Sequence, residues 1–363
     1  MFDSVNRDAL WRVLGLRGVP SKLINLMSQL YSGTESAVRC GDSISDLFPV
    51  VAGVPQGCVL ASTLFINCMD WILGRMSERL SCGASFGNVK ISDLDFRNDA
   101  VIFAETLDIL FRALEEPEKL GLQASEVYTK IQGFIDNFDA AIISAPVCGE
   151  YAEVTERFTY LLSDIHVSAG CEPEVNRRLG RAWGVMDSLD HSVWCCCYLQ
   201  RRMNVRVFRS LVLPVLLYRC ENRTLNKGLR WKLNSIGTRS LQRILGSRWL
   251  DFVFNERFLR ETQIIFVTCI VYECWLQLYG RMAYFPDANP AHQILSGREP
   301  YEWRRPMGRP CSSWLQQVNQ HLKEMGMGKA AAWGVARWGP WSTGGKWTQR
   351  CAALSHAPKL DLT

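Results

Sequence analysis

Gly53-Val54-Pro55-Gln56-Gly57-Cys58-Val59-Leu60, with Leu64-Phe65 just beyond it, is the stretch on which the reading of this chain turns. Proline fixes one backbone angle, and the two glycines admit angles closed to other residues. The segment from Gly53 to Gly57 is therefore predicted to be a bent loop. The apolar spacing from about Leu60 to Leu80 predicts an amphipathic helix leaving it. Upstream, residues 5–32 read as two short helices. Leu10, Val13 and Leu14 form the inner face of the first; Leu23, Leu26, Met27 and Leu30 are expected inside for the second. Residues 36–50 read as a hairpin turning at Gly41-Asp42. Downstream, a second hairpin is expected over 87–104. Val89 and Ile91 lie on one strand, Val101, Ile102 and Phe103 on the other, and Arg97-Asn98-Asp99 at its tip. A helix with Leu107, Leu110, Phe111 and Leu114 on one face follows.

Helix, strand, helix, hairpin and helix in succession is an α+β pattern built on an antiparallel sheet. From about residue 171 the chain turns helical and basic. Gly297 to Pro310 is rich in Pro, Gly and Arg and reads as a linker, Ser312 to Met325 as a short helix, and the segment after Gly339 as a disordered tail. The division expected is 1–170, 171–296, 297–338 and 339–363.

The net charge of +5 agrees with a polyanionic partner, and the clustering of arginines after residue 170 says more than the total. No apolar stretch approaches the ~20 residues that span a bilayer. Met1-Phe2-Asp3-Ser4 is not a secretory leader, so the expected address is intracellular, nuclear or cytoplasmic. The 14 cysteines include no Cys-x2-Cys pair, and the run Cys195-Cys196-Cys197 cannot converge on one ion. Small buried hydrophobes are the simpler reading.

Three segments, in order, resemble the reverse transcriptases of non-LTR (LINE-type) retrotransposons. They are Phe2-Asp3-Ser4-Val5, the Gly53–Leu60 stretch, and Asp95-Phe96-Arg97-Asn98-Asp99-Ala100. Arg157-Phe158-Thr159-Tyr160-Leu161 is similar to the family's primer-grip strand. Arg243-Ile244-Leu245-Gly246 with Trp249, and Gly308-Arg309-Pro310 with Trp314, are similar to its C-terminal region. Taken singly, each segment is equally well a loop, a turn or a terminus; the ordered set carries the resemblance. It implies a right-hand polymerase palm followed by a helical thumb, acting on an RNA template, a DNA primer and deoxynucleoside triphosphates. The chemistry implied is two-metal phosphoryl transfer with Mg²⁺, or Mn²⁺ in its place. It implies metal binding by Asp99, and nucleotide or template contacts from Phe2, Asp3, Pro55, Gln56, Gly57 and Lys130. Phe158, Tyr160 and Leu161 would form the primer grip. Arg177, Arg178, Arg181, Arg201 and Arg202 would meet the nucleic-acid backbone, with Trp183, Trp194 and Tyr198 interleaved among them. For these arginines a solvated face, and for the aromatics an ordinary core, are equally open. No protein partner and no membrane are implied.

The chain also departs from the family. The first catalytic aspartate would fall before Met1, which is read as a start at an internal methionine in a decaying genomic copy. At the hairpin the family has aromatic-Ala-Asp-Asp, whereas Arg97 and Asn98 stand here for the alanine and the first aspartate. The lysine of a Ser-x-x-Lys-Thr pattern is Tyr128, with Lys130 as a stand-in, and the primer-grip glycine is Leu162. Asparagine offers an oxygen without charge, and Arg97 adds a cation where Mg²⁺ would sit. The expectation is a polymerase by descent that does not polymerise. The alternatives are a catalytically dead nucleic-acid-binding module and an unselected remnant.

Overall fold

The computed structural model describes residues 2–80, 82–86, 89–96, 99–118, 129–133, 144–147, 150–168, 170–247, 254–296 and 313–324. These fall into two compact units, one ending at Thr155 and the other beginning at Glu156.

In the first unit, α1 (Arg7–Leu16) and α2 (Ser21–Tyr31) form the expected helical pair. Asn6 caps α1 by accepting from the Ala9 N–H at 3.0 Å. Leu10, Val13 and Leu14 are buried. In α2 the inner face differs in part from the expectation: Met27 meets the core as expected, but Leu23, Leu26 and Leu30 are 50%, 63% and 65% exposed, and Ile24 meets the core in their place. The apolar stripe of α2 is wider than the neighbour that covers it, so periodicity alone picked the wrong part of the stripe. A short ladder pairs β1 (Glu35–Ser36) with β4 (Phe48–Pro49), and inside it β2 (Arg39–Cys40) pairs with β3 (Ser43–Ile44) around Gly41 at φ +60°.

The central helix α3 (Val59–Leu80) buries Leu64, Phe65, Cys68, Ile72 and Met76. The predicted hairpin over 87–104 is two consecutive ribbons. Val89 and Ile91 lie in β6 (Val89–Ile91), which pairs with β5 (Ala84–Phe86). The strand opposite β8 (Asp99–Ile102) is β7 (Asp93–Phe96). The ribbons are stitched together where Phe103 donates to the Ser92 carbonyl and accepts from the Gly83 N–H, both at 2.8 Å. Helix α4 (Leu107–Glu118) packs on α3. The unit closes with β9 (Lys130–Ile131), β10 (Ser144–Val147) and β11 (Glu150–Val154), where β11 runs antiparallel to β10 and parallel to β9.

The second unit opens with an antiparallel ribbon, β12 (Arg157–Tyr160) and β13 (Ser163–His166), and is otherwise helical among the described residues. Its elements are α5 (Glu172–Ser188), α6 (Arg201–Val207), α7 (Leu213–Leu217), α8 (Lys227–Leu245), α9 (Asn255–Thr262), α10 (Val267–Tyr284), α11 (Pro290–Ser296) and α12 (Trp314–Glu324). Helix α8 is fully punctuated. Asn226 caps its start at 2.8 Å from the Leu229 N–H, and Gly246 at φ +69° closes its end. A Cβ on Gly237 would lie 2.8 Å from Val267, so glycine lets α8 and α10 approach closely. Trp275 and Tyr279 of α10 are fully buried in the core.

The molecule thus mixes helices with small, mainly antiparallel sheets, as the α+β expectation required. Among the described residues no single helix is long and apolar enough to cross a membrane. The linker over 297–310, most of the segment 297–338 and the tail 339–363 lie outside the described residues.

Candidate active site and nucleic-acid interface

The Gly53–Gly57 loop is held from below by one side chain. Arg7, on the first turn of α1, donates to the carbonyls of Gly53 (2.9 Å), Tyr31 (2.7 Å), Val50 (2.9 Å) and Ala52 (3.4 Å), and to the Thr34 hydroxyl (3.2 Å). Its guanidinium also lies 5.3 Å from the centre of the Tyr31 ring. A planar fork of five N–H groups suits this task, because it satisfies several carbonyls at once. Gly53 donates to the Val5 carbonyl at 2.9 Å and has φ +81°. A Cβ there would fall 2.6 Å from the Asp3 backbone, so no other residue fits. The loop is thereby seated on residues 3–5, and Gln56 Nε2 donates to the Asp3 carboxylate at 3.4 Å. Pro55, Gln56 and Gly57 are exposed beyond this seat, as is Asp3, and Gly57 has φ +89°.

Asp99 begins β8, directly opposite Phe96. Strand side chains alternate between faces, so Asp99 shares a face with Phe96, Leu94 and Val101. Asp93 and Asp95 share the other face with Ala100 and Ile102, which pack against the core that also holds Val5 and Val54. Asp95 therefore points away from Asp99 and cannot replace a missing partner. Arg97 and Asn98 lie outside the described residues, as does Tyr128. A two-metal site needs clustered hard oxygen donors of high charge. The donors here are one exposed carboxylate and, by sequence, an amide beside an arginine; this set does not fit a Mg²⁺ pair. Among the described residues no group of three or more His, Cys, Asp or Glu side chains is arranged to hold a metal ion. Lys130 is occupied: it pairs with Glu153, its cross-strand neighbour.

In the second unit the stretch that resembled a primer grip lies in the β12–β13 ribbon, with Phe158 opposite Ile165 and Tyr160 opposite Ser163. Its two-residue turn is Leu161-Leu162, with φ +47° and +64°. This is the left-handed region, where leucine is strained by ~1–2 kcal/mol per residue. Three donors hold the turn: Arg177 (2.6 Å) and Arg178 on the Leu162 carbonyl, and the Tyr218 hydroxyl on the Leu161 carbonyl at 3.2 Å.

Arg177 and Arg178, which the resemblance set against the nucleic-acid backbone, are engaged within the protein. Arg178 is buried against Glu174 at 2.7 Å and over the Tyr218 ring. Arg177 bridges Glu174 at 2.5 Å and Asp164 at 3.1 Å. Arg223, also buried, lies 3.6 Å from Glu174, and Arg157 pairs with Asp164 from the surface. Burial acts to raise the pKa of Glu174, but the hydrogen bonds from Arg178 and Arg177 outweigh it and leave it below the ordinary value. Asp164 is likewise lowered against its burial, by the Thr159 hydroxyl and by Arg157 and Arg177. Burial holds Arg223 below its usual value. Sequence reading missed Arg7, Asp164, Glu174 and Arg223. One local signal was present for Glu174, which stands three and four residues before the two arginines on α5.

Arg181, Arg201 and Arg202 do stand exposed, and Tyr198 is 92% exposed just before α6. Trp194 takes the alternative course: it is buried and donates to the Met186 carbonyl at 2.7 Å. Trp183 packs partly against the same core.

Residues 1–126 match the family model described as reverse transcriptase (RNA-dependent DNA polymerase). The chain is 30% identical over 105 residues to the retrovirus-related Pol polyprotein of a type-2 retrotransposable element from Drosophila melanogaster; the match covers 29% of this chain and 10% of that protein. It is 22% identical over 243 residues to an uncharacterised transposon-derived protein of Caenorhabditis elegans, covering 64% of this chain and 85% of that one.

Proposed function

We propose, from the match of residues 1–126 to the reverse transcriptase family and the likeness to a retrotransposon Pol polyprotein, that the chain is a non-LTR-type polymerase palm and thumb that grips nucleic acid without extending a primer. In this reading the loop at Pro55, Gln56 and Gly57, with Phe2 and Asp3 beside it, faces template and nucleotide. The ribbon carrying Phe158, Tyr160 and Leu161 faces the primer. Arg181, Arg201 and Arg202 meet phosphates, and Tyr198 offers a stacking surface beside them.

The observation that carries the loss of chemistry is Asp99 alone. Its sequence neighbour is Asn98 behind Arg97, and the nearest other carboxylate of the ribbon, on Asp95, is on the opposite face. A phosphoryl-transfer centre in this family depends on clustered aspartates to neutralise the charge of two metal ions, and one carboxylate, with an arginine two positions before it in sequence, does not supply it. The base of the loop is nonetheless held by Arg7, which donates to Gly53 and to the flanking Ala52, Val50, Tyr31 and Thr34, and the ribbon by a buried charge cluster. This supports a folded binding module over an unselected remnant.

The test combines primer extension on poly(A)/oligo(dT), with Mg²⁺ or Mn²⁺, and binding of the same duplex as a function of salt. Binding without extension is expected. The double substitution Arg201→Gln/Arg202→Gln is expected to flatten the salt dependence by about 0.7 per lost contact if the contacted strand is single. Sustained extension by the unaltered chain would refute the loss of chemistry, and salt-independent or absent binding would refute the grip.

A further inference from the structure

Two thiols of the helical unit have no part in the proposed grip. Cys220 opens a single 3₁₀ turn, Cys220–Asn222, and is buried. Cys274 is half-buried on α10 and packs against the same core. Two indoles fix the turn in place. Trp275 Nε1 donates to the Cys220 carbonyl at 3.1 Å, and Trp314 Nε1 donates to the Glu221 carbonyl at 2.7 Å. Trp275 follows Cys274 in sequence, so the first of these bonds sets residue 220 beside the turn of α10 that carries Cys274. There the two side chains meet, thiol hydrogen-bonded to thiol. The same hydrogen bond makes them chemically unequal. It pushes the Cys220 thiol up, as does burial, and holds Cys274 below the ordinary thiol range against its burial. Cys274 is thus the more acidic and the more accessible of the two, which are the marks of an attacking thiolate. Cys220 stands behind it, in place to resolve what forms there.

We infer that Cys220 and Cys274 are a redox pair that closes to a disulfide when a hydroperoxide reaches the helical unit. The Cys274 thiolate attacks one oxygen of hydrogen peroxide and the O–O bond breaks. A sulfenic acid forms on Cys274, and the hydroxide released takes up the proton that Cys274 gave up. The Cys220 sulfur then attacks the Cys274 sulfur. The S–O bond breaks, and water leaves with the proton of Cys220. Two thiols lose two electrons in all, and one peroxide becomes two waters. Thiols in hydrogen-bond contact need only a short approach to reach the ~2.0 Å of an S–S bond. The part that moves is one 3₁₀ turn rather than a helix. The crosslink encloses α8, α9 and the first half of α10, a long loop whose closure restrains the unfolded chain. It also bears on the ribbon. The turn lies between Tyr218, whose hydroxyl holds the Leu161 carbonyl, and Arg223, which donates to the Tyr218 carbonyl. Oxidation therefore pins to α10 the segment from which the ribbon turn is held. The inference does not depend on the nucleic-acid reading.

The test treats the folded full chain with hydrogen peroxide, alkylates the remaining thiols in denaturant, and maps the disulfides by peptide mass spectrometry. A species joining the peptides of Cys220 and Cys274, and lost on adding dithiothreitol, is expected. The oxidised chain is expected to melt roughly 5–15 °C higher, again reversed by dithiothreitol. Dimedone, which traps sulfenic acids, separates the two roles. It is expected to label Cys274 strongly in Cys220→Ala, where nothing resolves the sulfenic acid, and weakly in the unaltered chain. Equal labelling of Cys274 in both would overturn the role of Cys220. Recovery of Cys220 and Cys274 as separate alkylated peptides after peroxide treatment would overturn the pair. The mapping is done on the unaltered chain, so it decides the matter even if Cys220→Ala does not fold. A crosslink without a rise in melting temperature would overturn the pinning of the turn.

Discussion

Two backbone turns in this molecule are held by arginine, and they differ in what occupies the strained position. In the first unit the loop at Gly53 has φ +81°, and glycine stands there. In the second the ribbon turn has φ +47° and +64°, and leucines stand there. Arg7 satisfies carbonyls of a loop that already prefers its shape. Arg177 and Arg178 hold a turn that leucine resists, and both also neutralise Glu174 in a buried cluster. A loop built on glycine needs its arginine for position; a turn built on leucine needs its arginines for existence.

Breaking the support of the ribbon is expected to have the largest effect. Glu174→Gln leaves Arg178 and Arg223 buried without their counter-charge, and a loss of about 3–5 kcal/mol is expected in denaturant unfolding of the full chain. The same carboxylate sets an acid limit. Its folded pKa, like that of Asp164, lies below the unfolded value. The associated stability is therefore fully present above the unfolded carboxylate range, ~4–5, and is lost as pH falls through the lower folded values. Thermal melts are expected to be flat from about pH 7 to 5 and to drop below about pH 4, with a shallower drop in Glu174→Gln. A melt equally steep in the variant would remove Glu174 from the explanation.

Gly53→Ala comes next. The added methyl meets the Asp3 backbone at 2.6 Å in a left-handed conformation. A loss of about 2–4 kcal/mol is expected from overpacking and strain together. A near-neutral result would mean that the loop is not seated on residues 3–5. Leu162→Gly sharpens the comparison from the other side and is the smallest effect. Releasing a leucine at φ +64° is expected to stabilise the chain by about 1 kcal/mol, measured as a raised denaturant midpoint with an unchanged slope. Destabilisation by a similar amount would show that the Leu162 side chain packs usefully.

Much of the helical framework was legible in the sequence, because turn residues and apolar spacing act locally. The Gly53–Gly57 loop, α1, α3 and the Gly41 turn follow from these. Burial is less local. The stripe of α2 announced a face without saying how much of it a neighbour would cover, so Leu23, Leu26 and Leu30 were placed inside. The ribbons near Asp99 were merged for a similar reason: short β-branched runs do not state their partner, and Ser92 gives little warning of a change. Among the arginines, charge alone could not separate those facing Glu174 and Asp164 from those facing solvent. Asp164 lies opposite Thr159 and diagonal to Arg157, relations fixed only when β12 and β13 pair. The depleted donor set around Asp99 was legible from residue identity, since no fold turns Asn98 into a carboxylate.

The most direct measurement is a titration of the chain with Mn²⁺, following the free ion by electron paramagnetic resonance, for the unaltered chain, Asp99→Asn and Arg97→Ala/Asn98→Asp. The unaltered chain is expected to bind no differently from Asp99→Asn. The double substitution, which restores one carboxylate and removes one cation, is expected to tighten Mn²⁺ binding by about tenfold or more. Two Mn²⁺ ions bound tightly by the unaltered chain, displaced by Mg²⁺ and lost in Asp99→Asn, would contradict the claim that one carboxylate cannot hold the catalytic metals.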